Sequence, residues 1–164
     1  MTHAATDQGA PRATVSKPSD REIRVERVFN APRERVWRAL TDPEFIAQWW
    51  GRGEKLEIER FEPRRGGRWR FVVHGHGGPQ GFEGRYREVT PPERVVQTFE
   101  WDGMPGHVIV ETMTLQDLGD GRTKLVTLSL FHTSEERDGM YASGMEEGVS
   151  DSYAALDKLL TQMN

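Results

Sequence analysis

The sequence predicts an α+β domain in which a curved antiparallel sheet of about six to seven strands wraps around a long C-terminal helix. From residue 21 onwards, most segments alternate between apolar and polar side chains, as strands do. Short turns rich in glycine and proline separate these segments, and strands joined by short turns pair antiparallel. The last segment has a long helical period, with apolar side chains at Met145, Val149, Tyr153, Leu156, Leu160 and Met163.

Length, charge and composition set the class of protein. The 164 residues suit one domain. Residues 1–20 contain almost no large apolar side chain, so we expect a disordered tail before a domain at 21–164. The lack of cysteine excludes disulfides and thiolate chemistry. A net charge of −4, no signal peptide and no apolar run of ~20 residues predict a soluble cytoplasmic protein without membrane or nucleic-acid partners.

The domain begins with a strand and two short helices. Glu22 to Phe29 alternates as a strand. Pro32 is expected at the first position of one helix, and Asp42 as the N-cap of the next. Trp49 and Trp50 follow on the second helix, where neighbouring side chains point in different directions. We therefore expect one tryptophan in the core and the other, preferably Trp50, at the mouth of a cavity.

Six further segments are predicted to be strands. A hairpin loop is expected at 74–81, and the Gly-Asp-Gly sequence at 119–121 is a strong hairpin signal. Arginine and glutamate side chains alternate with the apolar ones, which indicates cross-strand ion pairs on the solvent face. The strands are expected at 56–59, 68–73, 82–87, 95–101, 107–118 and 123–131.

In this order, several motifs resemble the START-like (SRPBCC, helix-grip) superfamily, and within it the family related to the C-terminal domain of the activator of Hsp90 ATPase. The resemblance covers nearly all of residues 21–163 and implies the helix-grip fold. It is compatible with transport, cyclisation, sequestration or co-chaperone roles in a stress response. The motifs are FNAPRERVWRALTDP (29–43), WWG (49–51), GGRWRF (66–71), GFEGRYREVTPPERVV (81–96), GDGRT (119–123), GMEEG (144–148) and LDKLL (156–160).

The long helix also has a stripe of small residues. Gly144 is explained as a helix boundary. Gly148 has two explanations, close helix–sheet packing or space left between helix and sheet, because glycine inside a helix costs ~1 kcal/mol relative to alanine.

Several strands place aromatic side chains on one face. Any one of them is better explained as core, but the set favours a cavity for a small apolar or aromatic molecule. The predicted lining residues are Trp50, Trp69, Phe71, Phe82, Tyr86, Phe99, Trp101, Met113, Met145, Gly148, Val149 and Tyr153.

No catalytic, metal or cofactor site is predicted. His74 and His76 share a face if extended, but no third ligand lies nearby in the sequence. The usual nucleophile motifs are absent, and the glycine-rich loop lacks the Lys-Ser/Thr of a phosphate loop. An enzyme would need a polar group that points into the cavity, and the candidates are Glu100, Glu111, His107 and Tyr153.

Three hypotheses follow. The first is a protein that binds a small apolar molecule, and the second is an enzyme of cyclase or hydrolase type using the same cavity. The third, implied by the resemblance, is a co-chaperone with a chaperone as its partner. A cavity between helix and sheet supports the first two hypotheses, whereas a filled core supports the third.

Overall fold

The computed structural model describes residues 12–163. Eight strands and four helices follow the predicted order, with one additional strand at the start. They are β1 (Thr14–Ser16), β2 (Glu22–Phe29), α1 (Arg33–Thr41), α2 (Pro43–Ile46), β3 (Lys55–Phe61), β4 (Arg68–Gly75), β5 (Gly78–Thr90), β6 (Arg94–Trp101), β7 (Ile109–Gly119), β8 (Arg122–Leu130), α3 (Ser134–Ala142) and α4 (Met145–Gln162).

All eight strands form one antiparallel sheet in the order β1-β2-β8-β7-β6-β5-β4-β3. The chain passes from β2 through α1 and α2 to β3 at the opposite edge. From β3 each strand pairs with the next along the chain, and β8 closes against β2. The α+β architecture is therefore as predicted, but the strand count is eight rather than six to seven.

Strand β1 accounts for the difference, and it falls within residues 1–20, which the sequence predicts to be disordered. Val15 pairs with Val25 of β2, and β1 is the edge strand of the sheet. Arg137 of α3 donates a hydrogen bond from Nη1 to the carbonyl oxygen of Ser19. Both partners lie outside the segment, and Arg137 is 118 residues away from Ser19, so the composition of residues 1–20 does not show the contacts that order β1. The prediction for residues 1–11 lies outside the described residues.

The two predicted short helices are present, although they now follow the second strand. Pro32 precedes α1 as its N-cap instead of beginning it. The carboxylate of Asp42 accepts a hydrogen bond from the Glu44 amide at 2.9 Å, as predicted for an N-cap. Helix α2 ends at Ile46, earlier than predicted, so Trp49 and Trp50 lie in the turns that follow.

The predicted long loop at 74–81 is also shorter than expected. The ladder between β4 and β5 continues to the pair formed by Gly75 and Gly78. Only two residues separate the strands, because backbone pairing extends into this glycine-rich segment.

The two faces of the sheet differ as predicted. On β2 the alternate residues Ile23, Val25, Arg27 and Phe29 are buried. On the outer face, Arg70 forms ion pairs with the carboxylates of Glu59, Glu83 and Asp102 at 2.9, 2.8 and 2.7 Å. The ion pairs hold the pKa of Asp102 below its ordinary value. The apolar side chains lie on the opposite face, where they pack in the core with α4.

Helix α4 divides into two halves. Gly144 precedes it with a φ of 87°, in agreement with its predicted role as a boundary residue. In the second half, Leu156, Leu159 and Leu160 are buried in the central core. The first half lines a cavity with Met145, Val149, Ser152 and Tyr153.

Candidate ligand-binding cavity

A cavity of about 200 Å³ lies between the inner face of the sheet and the first half of α4. Its wall is formed by strands β2 and β4 to β8, by helix α4, and by the turns that follow α2. Eight of the twelve residues predicted from the sequence line it: Trp50, Trp69, Phe71, Tyr86, Met113, Met145, Val149 and Tyr153.

Four predicted residues do not line this cavity. Phe82 packs behind Trp50, with the ring centroids 5.4 Å apart. Phe99 and Trp101 lie farther along β6, beyond the end of the cavity. A Cβ added to Gly148 would meet the side chain of Arg52 at 3.6 Å. The small residue therefore faces a neighbouring loop and creates no space for a ligand.

Aromatic side chains form one end of the cavity. Trp49 is buried and donates a hydrogen bond from Nε1 to the carbonyl oxygen of Ala39 at 2.9 Å. Trp50 is more exposed, and its ring centroid lies 5.2 Å from that of Phe71 and 6.2 Å from that of Trp69. As predicted, Trp49 is the core tryptophan, although both rings reach the cavity wall.

The position of Trp69 depends on a glycine in the next strand. Gly84 lies opposite Trp69 in the β4–β5 ladder. A Cβ at Gly84 would overlap the carbonyl oxygen of Thr98 and would lie 2.5 Å from the indole Nε1 of Trp69. The glycine thus allows a large ring and two neighbouring strands to approach closely.

The other end of the cavity is polar. Gln97 of β6 lies opposite Glu111 of β7, which lies opposite Ser129 of β8. Three adjacent strands therefore place these side chains in one row facing the cavity. The Nε2 of Gln97 donates a hydrogen bond to Oε1 of Glu111 at 3.2 Å. Beside the row, the hydroxyl oxygens of Thr127 and Tyr153 are 3.5 Å apart.

The protein environment changes the acidity of this row. Removal from water raises the pKa of Glu111 from its ordinary value of 4.5 to about 7, although hydrogen bonds from Gln97 and Ser129 act in the opposite direction. Burial also raises the pKa of Tyr153. A carboxyl group with a pKa of about 7 changes its charge near neutral pH.

Of the four polar candidates named from the sequence, the structure places two in the cavity. Glu111 and Tyr153 line it. Glu100 accepts a hydrogen bond from the amide of Gly106 at 2.7 Å, and His107 lies 3.1 Å from Glu136 at the surface.

Sequence reasoning missed Gln97, Thr127 and Ser129. Strand parity was the available signal for Gln97, because it alternates with Val95 and Phe99 on the inner face.

The loop at residues 51–53 contacts α4 next to the cavity. Gly51, Arg52 and Gly53 all have positive φ angles, of 83°, 63° and 79°. The amide of Arg52 donates a hydrogen bond to the hydroxyl of Ser152 at 3.1 Å, and its guanidinium lies 2.8 Å from Asp151. Because Trp50 and Ser152 both line the cavity, these contacts fix the loop to α4 at its edge.

Phe99 and Trp101 line a separate apolar groove of about 580 Å³ between β6, β7 and α3. Trp101 and Met104 are 37% and 44% exposed there. Carboxylates of Glu135 and Glu136 lie on its α3 side. The groove is open to solvent and is distinct from the cavity beneath α4.

Two further properties concern residues 12–163. This part of the chain contains no group of three or more His, Cys, Asp or Glu side chains arranged to hold a metal ion. None of its helices is both long and apolar enough to cross a bilayer.

Similar solved structures have the same fold. A Rhodobacter sphaeroides protein is 29% identical and has a TM-score of 0.85, with 93% of this chain and 100% of that one covered. A Chromobacterium violaceum protein is 30% identical with a TM-score of 0.69, and the coverage is 84% and 96%. DynU16, a protein of the dynemicin biosynthetic locus, is 27% identical with a TM-score of 0.67; the match covers 88% of this chain and 48% of DynU16.

Comparison at the level of families agrees with the resemblance seen in the motifs. No curated protein matches the chain. The family described as activator of Hsp90 ATPase homolog 1-like protein matches residues 30–161, which is most of the chain and includes the whole cavity wall except Val25. The chain therefore belongs to the activator of Hsp90 ATPase homolog 1-like family.

Proposed function

We propose that the protein binds a small apolar or aromatic molecule in the cavity between the sheet and α4. The observation that carries this proposal is a space of about 200 Å³ with an aromatic wall. An apolar cavity of ~150 Å³ holds benzene, whereas sites for drug-sized ligands occupy ~300–1,000 Å³. The volume therefore favours a ligand with a single ring and few other atoms.

The experiment is a titration with toluene, followed by ligand-observed NMR and by tryptophan fluorescence. Trp49, Trp50 and Trp69 all line the cavity, so an occupant should change the emission. A Val149→Phe variant fills part of the space and should abolish binding. Lys158→Phe is the matched control, since it adds the same ring at an exposed position of the same helix. Lack of binding to the wild type, or binding that survives Val149→Phe, would contradict the proposal.

An enzyme of cyclase or hydrolase type is the second candidate. It is supported by Glu111, a cavity-lining carboxyl group whose pKa of about 7 suits a general acid or base at neutral pH. Hydrolysis of p-nitrophenyl acetate tests it. Glu111→Gln should lower the rate by roughly 10²-fold or more while toluene still binds. A rate that is unchanged in this variant would remove Glu111 from any such mechanism.

The exposed apolar groove and the family description support a chaperone as a further partner. Stimulation of the ATPase of an Hsp90 from the source organism is the measurement. Trp101→Glu should abolish the stimulation, because it places a charge in the groove, while Glu83→Gln on the outer face of the sheet should not. No stimulation by the wild type would contradict a role in activating this chaperone.

A further inference from the structure

We propose that Glu111 determines which molecules the cavity accepts, and that its ligand is a small aromatic compound with one hydrogen-bond donor, a hydroxyl or an amino group, bound to the carboxyl group of Glu111. This inference rests on the proposed binding function and adds the chemistry and orientation of the ligand.

The cavity divides into two ends of different chemistry. Trp50, Trp69 and Phe71 line the end near β4, whereas Gln97 and Glu111 lie in the polar row across β6 to β8. An entirely apolar ligand would cover the aromatic end and leave the polar row facing hydrocarbon. A buried polar group without a partner is costly. The walls therefore suit a ligand that is apolar at one end and polar at the other.

Glu111 has fewer hydrogen-bond donors around it than its carboxylate can accept. An ionised carboxylate can accept about four hydrogen bonds. The protein supplies donors from Gln97 and Ser129. Among residues 12–163, no lysine or arginine forms an ion pair with Glu111. The remaining acceptor capacity faces the cavity, so a donor on the ligand is the complementary group.

The other polar groups near Glu111 do not replace such a donor. The Tyr153 hydroxyl, which α4 contributes, lies 3.5 Å from the hydroxyl of Thr127. Arg27 on β2 donates a hydrogen bond to the carbonyl oxygen of Tyr153 at 2.9 Å and lies 3.5 Å from Asp157. Its charge acts on the Tyr153 side of the cavity. A ligand that brings its own donor would complete the row.

While Glu111 is ionised, the same geometry disfavours two kinds of ligand. An anionic group, such as the carboxylate of a fatty acid, would approach Glu111 with like charge. A group that only accepts hydrogen bonds, such as an ether, gains nothing from an ionised carboxylate. Hydroxyl and amino groups share the donor chemistry, and an experiment can separate them.

The experiment uses three small monocyclic probes: toluene, and benzyl alcohol and benzylamine, which each add one polar heavy atom to it. Dissociation constants for the wild type should favour at least one of the two donors over toluene by about 10-fold or more, because a site built around a buried polar group rejects the analogue that leaves it unpaired. In Glu111→Leu this preference should disappear, while toluene binds as well as before or more tightly. Met113→Leu, an apolar change in the same wall, should leave the preference intact.

The pH dependence separates the two donors. Benzylamine binds as a cation and needs the ionised carboxylate, so its affinity should rise between pH 5.5 and 8. The affinity for benzyl alcohol should change less, since a hydroxyl group can also accept a hydrogen bond from the protonated acid. Glu111→Gln keeps the shape of the side chain, so it serves if the leucine variant does not fold. It should abolish the preference for benzylamine over toluene.

Two failures can be told apart. Equal affinities of the wild type for all three probes, or a donor preference that survives both Glu111 variants, would overturn this inference and leave the binding function standing. If none of the three probes binds to the folded wild type, the proposed function itself fails.

Discussion

Arg52 and Asp151 lie 99 residues apart in the chain, and the Nη2 of Arg52 is 2.8 Å from the Oδ2 of Asp151. The same guanidinium lies 3.5 Å from Glu147, one turn earlier on α4. The ion pairs are exposed, so they contribute little to the free energy of unfolding. Their consequence is local, because they hold the 51–53 loop against the helix beside the cavity.

Replacement of Arg52 by alanine should therefore affect ligand exchange more than stability. We expect the melting temperature to stay within about 2 °C of the wild type, since surface substitutions change stability little. The rate of toluene dissociation, measured by NMR exchange, should increase several-fold because the loop is no longer fixed to α4. Arg65→Ala, which removes an exposed arginine from the turn between β3 and β4, is the control. An unchanged dissociation rate would mean that the ligand leaves by another route.

The raised pKa of Glu111 predicts a pH-dependent stability. Between pH 4.5 and 7 the unfolded chain releases the proton while the folded protein keeps it, so this group makes folding less favourable as pH rises through that window. The loss amounts to roughly 3 kcal/mol above pH 7, at ~1.4 kcal/mol per pKa unit. Glu111→Gln removes the effect.

Urea unfolding at pH 5 and pH 8 measures this pH-dependent change in the free energy of unfolding. The difference in the free energy of unfolding between Glu111→Gln and the wild type should be more positive at pH 8. Hydrogen bonds from Gln97 and Ser129 lower the pKa of Glu111 but do not cancel the effect of burial. The other polar groups on this side of the cavity are Tyr153 and, beside it, Arg27. A difference that does not change with pH would show that Glu111 titrates normally.

Gly84 should tolerate no side chain. Alanine there would force β5 and β6 apart or displace Trp69, because its Cβ would overlap the carbonyl oxygen of Thr98. We expect a loss of about 2 kcal/mol or more in the free energy of unfolding, typical of overpacking, together with a shift in tryptophan emission. Gly77→Ala is the control, since no atom lies within 4 Å of its added Cβ. Equal stability of the two variants would contradict this account.

Strand β1 should depend on Arg137. Its guanidinium donates to the carbonyl oxygen of Ser19, in the connection between β1 and β2, and to that of Glu22, the first residue of β2. Arg137→Met should remove about 1–2 kcal/mol of stability and increase the hydrogen exchange of the β1 amides. Hydrogen exchange of the amides in the β7–β8 ladder should increase only as much as the loss of global stability requires. Arg122→Met, at the exposed start of β8, should leave β1 protected.

The order of the elements and the inner face of most strands could be predicted from the sequence, because both depend on local periodicity. Alternation placed Trp69, Phe71 and Tyr86 on the inner face, and the helical period identified α4. The same pattern extended too far along β6, where Phe99 and Trp101 have the right parity but lie past the end of the cavity. Parity assigns a side chain to a face of the sheet, whereas the curvature and the position of α4 decide what covers it.

Register and contacts between distant segments were decided only by the tertiary structure. The row of Gln97, Glu111 and Ser129 exists because three strands pair in one alignment, and a shift of one residue would separate the three side chains. Strand β1 forms because β2 and Arg137 are available to it. By itself, the sequence determined the fold class, the helix ends marked by Asp42 and Gly144, and the supply of aromatic residues. Folding decided which of those residues surround the cavity, because burial is a property of the neighbours that long-range packing brings together.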